Sequence, residues 1–142
     1  MARYAALAPL EAGALLLIAG EFMTAREIRT LTVVPAGGTE TGGALHGFAL
    51  GIIGVAILVM SFGAVVRGSR PAAAALLVLS LAACVIVVFV DRPLLDDTGL
   101  IGQTYDLAEA RPATGFYLQS AGAVLALIGA AGAMFVTGLS RR

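Results

Sequence analysis

Residues 72–90 read AAAALLVLSLAACVIVVFV, nineteen consecutive positions with no charge and a single hydroxyl. At ~1.5 Å per helical residue such a run crosses a hydrocarbon core of ~30 Å, and it is too long for a strand. Arg70-Pro71 stands before it and Asp91-Arg92-Pro93 after it, so charged residues bound the run at both ends.

Working outward, the chain offers three more runs of the same kind: Tyr4 to Met23, Ala44 to Val66 and Phe116 to Gly138. The composition agrees, with 142 residues that are 59% hydrophobic and only 13% charged, and a mean hydropathy of +0.96. That is about half the charge of a soluble domain. The expected fold class is an all-α membrane protein. It is read as a single four-transmembrane-helix bundle over residues 1–142, with the lipid bilayer as its partner.

The connections alternate long, short, long: 24–43, the turn Arg67-Gly68-Ser69-Arg70, and 91–115. Basic residues beside short loops stay cytoplasmic. Arg3, Arg67, Arg70, Arg141 and Arg142 fall at the N-terminus, the short turn and the C-terminus, with no acid among them. The long loops and their flanks hold Glu21, Glu27, Glu40, Asp91, Asp96, Asp97, Asp106 and Glu109. The expectation is a bacterial cytoplasmic (inner) membrane protein with both termini inside and an acidic outer face. A cleaved leader is the competing reading of the first run. Pro9, Glu11 and the lack of a small-x-small site before Glu21 argue for a retained span.

In the first outer loop, Glu27 to Val34 is rich in β-branched residues and stops at Pro35-Ala36-Gly37-Gly38, which predicts a strand and a turn. Leu100 to Leu107 is the expected partner strand, giving a small two-stranded cap. Gly47-Phe48-Ala49-Leu50 with Gly54 matches Gly115-Phe116-Tyr117-Leu118 with Gly122 at a fixed offset. Duplication of a hairpin and a shared packing need at the helix start both explain it.

Small residues at four-residue spacing, Gly47 and Gly51 in the second run and Gly122, Ala126 and Ala130 in the fourth, mark candidate helix-packing faces. They serve either the monomer itself or a homo-oligomer or partner interface. Glu11 is the candidate intramembrane ionisable group, because it falls about 10 Å into the first span. Pairing with Arg67 or Arg70, placement near the headgroups, and ion coupling are its possible roles. Glu21 and the only histidine, His46, both fall at outer span ends and form a candidate pH-sensitive pair.

The acids of the second outer loop lack the spacing of a calcium loop, and one histidine with one cysteine, Cys84, makes no zinc site. No cofactor, metal site or catalytic residue is expected. Neither a nucleophile motif nor a phosphate loop appears, and zero net charge points to no nucleic-acid partner.

With its acidic outer loop and the Thr114-Gly115-Phe116-Tyr117-Leu118 start of the last run, the chain resembles small uncharacterised bacterial four-helix integral membrane proteins. That resemblance implies no activity. In outline it is also similar to claudin-type proteins, without their tryptophans and cysteine pair in the first outer loop. The functional expectation is a non-enzymatic accessory or scaffold protein of the membrane. The alternatives are a small oligomeric ion-coupled transporter or channel using Glu11, and an envelope sensor titrated through Glu21 and His46.

Overall fold

The computed structural model describes residues 6–30, 35, 37–105 and 107–139. Arg3, Tyr4, the stretch 31–34, Asp106, Arg141 and Arg142, all used in reading the sequence, lie outside these. The described chain is mostly helical, with one small sheet.

Helix α1 (Leu7–Phe22) leads into strand β1 (Thr24–Arg29), then β2 (Thr39–Thr41), the short α2 (Gly42–His46) and α3 (Ala49–Ser61), which continues as a π-helical turn, Phe62–Val66. Helix α4 (Arg70–Ile86) also ends in a π-helical turn, Val87–Asp91. Then come α5 (Arg92–Leu95), α6 (Gly99–Thr104), strand β3 (Glu109–Pro112) and the long α7 (Thr114–Leu139). Three helical stretches are long and apolar enough to cross a membrane: Ala49–Val66, Arg70–Thr104 and Thr114–Thr137. Within the described residues α1 has 16 residues, about 24 Å at the helical rise.

Local chemistry fixes the breaks. The hairpin between α3 and α4 closes at Gly68, whose φ of +64° is open to glycine without strain. Ser69 then caps α4 by accepting the Ala72 N–H at 3.4 Å, and Pro71 sits in the first turn, where its missing N–H costs nothing. Gly47 and Phe48 are both left-handed, which separates α2 from α3. The Phe48 ring is lodged over Gly43, where a side chain would collide with it, and 5.8 Å from the Phe22 ring.

Helix α1 packs against α3 and α7, and α4 packs against the same two. The α1–α7 seam is closest, and glycine makes it so. A Cβ on Gly13 would lie 2.5 Å from the Ala126 nitrogen, and one on Gly122 would lie 2.8 Å from the Gly13 carbonyl. Gly54 of α3 meets Ala14 and Ile18 of α1 in the same manner. Leu10, Leu17, Leu50, Ile57 and Leu76 fill the core without exposure. The outward faces are apolar too: Ile52, Val59, Val78, Ile128 and Phe135 are all exposed. A continuous exposed apolar surface of this kind is what a bilayer covers.

The sheet has three strands, with β1 central and antiparallel to both neighbours. Its first strand begins at Thr24, ahead of the expected Glu27. A bulge between Thr24 and Arg26 breaks the two-residue alternation, so Ala25 and Ile28 are the inward pair. The expected partner strand is corrected: most of Leu100 to Leu107 forms helix α6, and Glu109–Pro112 takes the edge of β1 instead. The reason lies in α7. Gly115 lies against the Met23 and Thr24 carbonyls, and the Ala113 N–H donates to the Ala25 carbonyl at 2.8 Å. Of the second outer loop, the residues immediately before α7 are therefore the ones held beside β1.

Arg26 ties this sheet to the α5–α6 loop. Its guanidinium donates to the Leu94 carbonyl at 2.7 Å, to the Asp97 carbonyl at 2.8 Å and to the Glu40 carboxylate.

Candidate functional site

Three of the buried polar side chains gather with His46 at the sheet end of the helices. Glu21, in the last turn of α1, is 1% exposed, Asp91 of the second π-helical turn is 1% exposed, and Gln119 of α7 is fully buried. His46, the last residue of α2, has a side chain 5% exposed and stands between the two carboxylates.

Each group is placed by a local feature. The Glu21 Oε1 atom accepts the Gly51 N–H at 2.6 Å. That N–H belongs to the first turn of α3, where backbone donors have no partner within the helix. Residue Phe48 supplies no side-chain cap, so Glu21 caps α3 from a different helix. Gly51 permits the approach, since its Cβ would sit 3.0 Å from the Glu21 Cγ. Gln119 is admitted by Gly20 and Gly42, at both of which a Cβ would collide with its side chain. The π-helical turn Val87–Asp91 alters the phase of its helix. Asp91 is consequently buried while the adjacent Arg92 is exposed.

His46 Nδ1 lies 3.8 Å from Glu21 Oε1, and Nε2 lies 3.7 Å from Asp91 Oδ1. The Gln119 Nε2 atom is 3.5 Å from the same His46 Nε2. These separations exceed a good hydrogen bond. Glu21 Oε2, both Asp91 oxygens, Gln119 Oε1 and His46 Nδ1 have no hydrogen-bond partner among the described residues. The site is thus rich in acceptors and poor in donors.

Charge counting shows what that means. Two ionised carboxylates beside a neutral imidazole leave two buried negative charges, and no arginine forms an ion pair with either one among the described residues. An unpaired buried charge costs several kcal/mol. A proton taken up by the cluster reduces that buried charge. Among the described residues no three His, Cys, Asp or Glu side chains are placed to hold a metal ion. Here the two carboxylates face opposite nitrogens of one ring and do not converge on a common point.

The structure brings the candidate pair Glu21 and His46 together. It places Glu11 on the exposed face of α1, with no ion pair among the described residues. Arg67 instead lies over the Phe62 ring, 5.7 Å from its centroid. Gly51 contacts Glu21, Gly122 and Ala126 face α1 within the chain, and Ala130 is buried. Gly47 has open space where a side chain would go and serves the left-handed turn after α2.

Two members of the site, Asp91 and Gln119, were not placed beside His46 by the sequence. Asp91 reads as the first acid of a loop, because nothing in the sequence announces the π-helical turn. Gln119 carried a signal: it falls on the same helical stripe as Gly115, Gly122 and Ala126, a polar residue on the packing face.

The remaining acids have separate work. Asp97 accepts the Gly99 N–H at 2.8 Å. Glu109 pairs with Arg111 at 2.8 Å, and this bond with its Coulombic attraction holds the Glu109 carboxyl below the ordinary carboxylate range.

No protein-family model matches the chain, and no curated protein or solved structure matches it either. The functional reading therefore rests on the residues themselves.

Proposed function

We propose that this chain is a non-enzymatic accessory protein of the bacterial inner membrane. It spans four times through α1, α3, α4 and α7, with both termini inside and the sheet outside, and its outer end responds to external pH. The single observation behind the pH response is His46 held between two buried carboxylates. The groups facing His46 are Glu21 from α1, which itself accepts the Gly51 N–H of α3, Asp91 from the π-helical turn and Gln119 from α7; Arg92 is exposed and Arg26 is bound to the cap. Protonation changes the charge of a site that joins every long helix, so it changes how those helices and the cap are held.

Support for membrane insertion comes from the three apolar helices of spanning length and from the aromatic side chains Phe22, Phe48, Phe89 and Tyr117, exposed toward the sheet end. A partner would read the response on the cap or on the apolar helix faces. Because the small-residue stripe of α7 is occupied by α1, that partner is a different surface from the one the spacing suggests.

The experiment has two arms. In a Cys84→Ala background, cysteines placed at Glu40 and Asp97 are expected to react with an impermeant thiol reagent on intact spheroplasts, and one at Ser69 is expected not to. Purified protein in detergent micelles should show one pH-dependent change in its histidine resonances between pH 5 and 8, abolished when Glu21→Gln and Asp91→Asn are combined. A silent titration would remove the pH response and leave the topology standing.

The alternative, ion-coupled transport through Glu11, has one favourable observation: that carboxylate is exposed on α1 with no ion pair among the described residues. In an oligomer it would face a shared pathway. Proteoliposome flux abolished by Glu11→Gln and retained in the Glu21 and Asp91 variants would favour this reading over the accessory role.

A further inference from the structure

We infer that the cleft between the sheet ends of α4 and α7 binds one anionic phospholipid, with the phosphate on Arg92 and an acyl chain along the apolar wall. The inference rests on the reading that these helices cross lipid, which the thiol labelling tests separately.

The cleft has a volume of about 300 Å³, and its wall is formed by Val87, Val88, Phe116 and Ala123, with Arg92 and Tyr117 among its lining residues. Clefts of this size and character hold the apolar part of small ligands. Arg92 is exposed and forms no ion pair among the described residues, although Asp91 precedes it in the chain. The π-helical turn explains this, since it buries Asp91 beside His46 and leaves the guanidinium outside. Asp97 is directed to the Gly99 N–H. Tyr117, 60% exposed, is held edge-on against the Phe116 ring at 5.8 Å, and its phenol has no hydrogen-bond partner among the described residues. Ser120, also in the lining, already donates its hydroxyl to the Phe116 carbonyl at 2.8 Å.

A planar cation with a row of donors, a free phenol and an apolar floor complement a phosphodiester joined to an alkyl chain. The headgroup class follows from what the rim lacks. No Asp or Glu lines the cleft, so nothing receives the ammonium of a zwitterionic headgroup, and a phosphate with a neutral alcohol such as glycerol fits best. The cleft on the opposite side, between Phe22, Phe48, Ile52 and Val55, has no cation in its lining. It offers lipid chains a surface and gives no reason to select a headgroup.

Native mass spectrometry of the full chain in dodecyl maltoside micelles tests this, with dioleoylphosphatidylglycerol and dioleoylphosphatidylcholine added in equal amounts. The expected result is one retained phosphatidylglycerol per chain, about tenfold over phosphatidylcholine, as a charge-assisted contact gives. Arg92→Gln should bring the two lipids level, and Val124→Trp, which fills the cleft from its exposed wall, should reduce retention of both. Arg111→Gln, a charge change on the sheet, should leave the preference intact. Thermal melting checks that each variant is folded. Equal retention by the unmodified chain, a preference that survives Arg92→Gln, or displacement of the lipid by excess inorganic phosphate would each overturn the assignment.

Discussion

The imidazole of His46 and the carboxylate of Asp91 approach to 3.7 Å with both side chains almost fully buried, although one ends the short helix α2 and the other ends α4. At that distance the interaction is Coulombic more than hydrogen-bonded. Burial keeps mobile ions away, so it is screened far less than a surface pair. Glu21 acts on the other nitrogen of the same ring. The ring is the only group in the cluster able to carry a positive charge, and its position between the two carboxylates links α1, α2 and α4.

Replacing Asp91 by Asn removes one of the two negative charges that favour the imidazolium. The pH-dependent change at the cluster should then move to lower pH. The change is read from the His46 ring resonances, which are unambiguous because the chain has one histidine. The displacement should persist in high salt. A midpoint that is unchanged in Asp91→Asn would mean that the carboxylate is already neutral throughout, and the proposed switch would fail.

Arg26 is the corresponding fixed point of the cap. Its side chain is 11% exposed and joins β1 to β2 through Glu40, and to the α5–α6 loop through the Leu94 and Asp97 carbonyls. Arg26→Ala should cost roughly 2–3 kcal/mol locally, since buried charge-assisted bonds are the stronger kind. Limited proteolysis should show it first, with faster cleavage near residues 94–98 and the long helices still intact. Unchanged cleavage would show that the sheet holds that loop without the guanidinium.

The helical content and the placement of the apolar runs were legible because a long uncharged run admits few structures, and 72–90 has one reading. The Glu21–His46 approach was legible for the same reason: both residues terminate apolar runs on the side where the long loops lie. The cap was half legible. The strand near Glu27 followed from β-branched residues, but the identity of its partner depended on Gly115 packing against α1, a tertiary constraint that overrides the local character of Leu100 to Leu107. Asp91 was hidden by a shift of helical phase, which no residue type encodes.

The Glu109–Arg111 pair gives a pH prediction of known sign. Arg111 depresses the Glu109 carboxyl by hydrogen bonding and then by charge. A depressed acid stabilises the fold above its unfolded value, and that contribution is lost as the pH falls through its lowered folded value, below the ordinary carboxylate range. Both side chains are solvent-exposed, so the effect on stability is small. Arg111→Ala should return the Glu109 carboxyl resonance to an ordinary titration and leave melting at neutral pH unchanged. A fall in melting temperature there would show that the pair holds β3 in place.

The α1–α7 seam gives the sharpest stability test, because its close atoms are backbone and cannot turn aside. Gly13→Ala would set a methyl 2.5 Å from the Ala126 nitrogen and 2.7 Å from the Gly122 carbonyl, forcing the helices apart. Overpacking of this kind costs about 1–3 kcal/mol, and here it also loosens Gln119, which lies further along the same interface. Gly63→Ala is the contrast, since its methyl would meet only the Ala72 Cβ at an ordinary 3.4 Å. Alanine in a helical position gains roughly 0.5–1 kcal/mol over glycine, so this variant should melt at the same temperature or slightly higher. Circular-dichroism melts of both variants in detergent decide the matter: equal tolerance at the two positions would mean that α1 and α7 do not meet at Gly13.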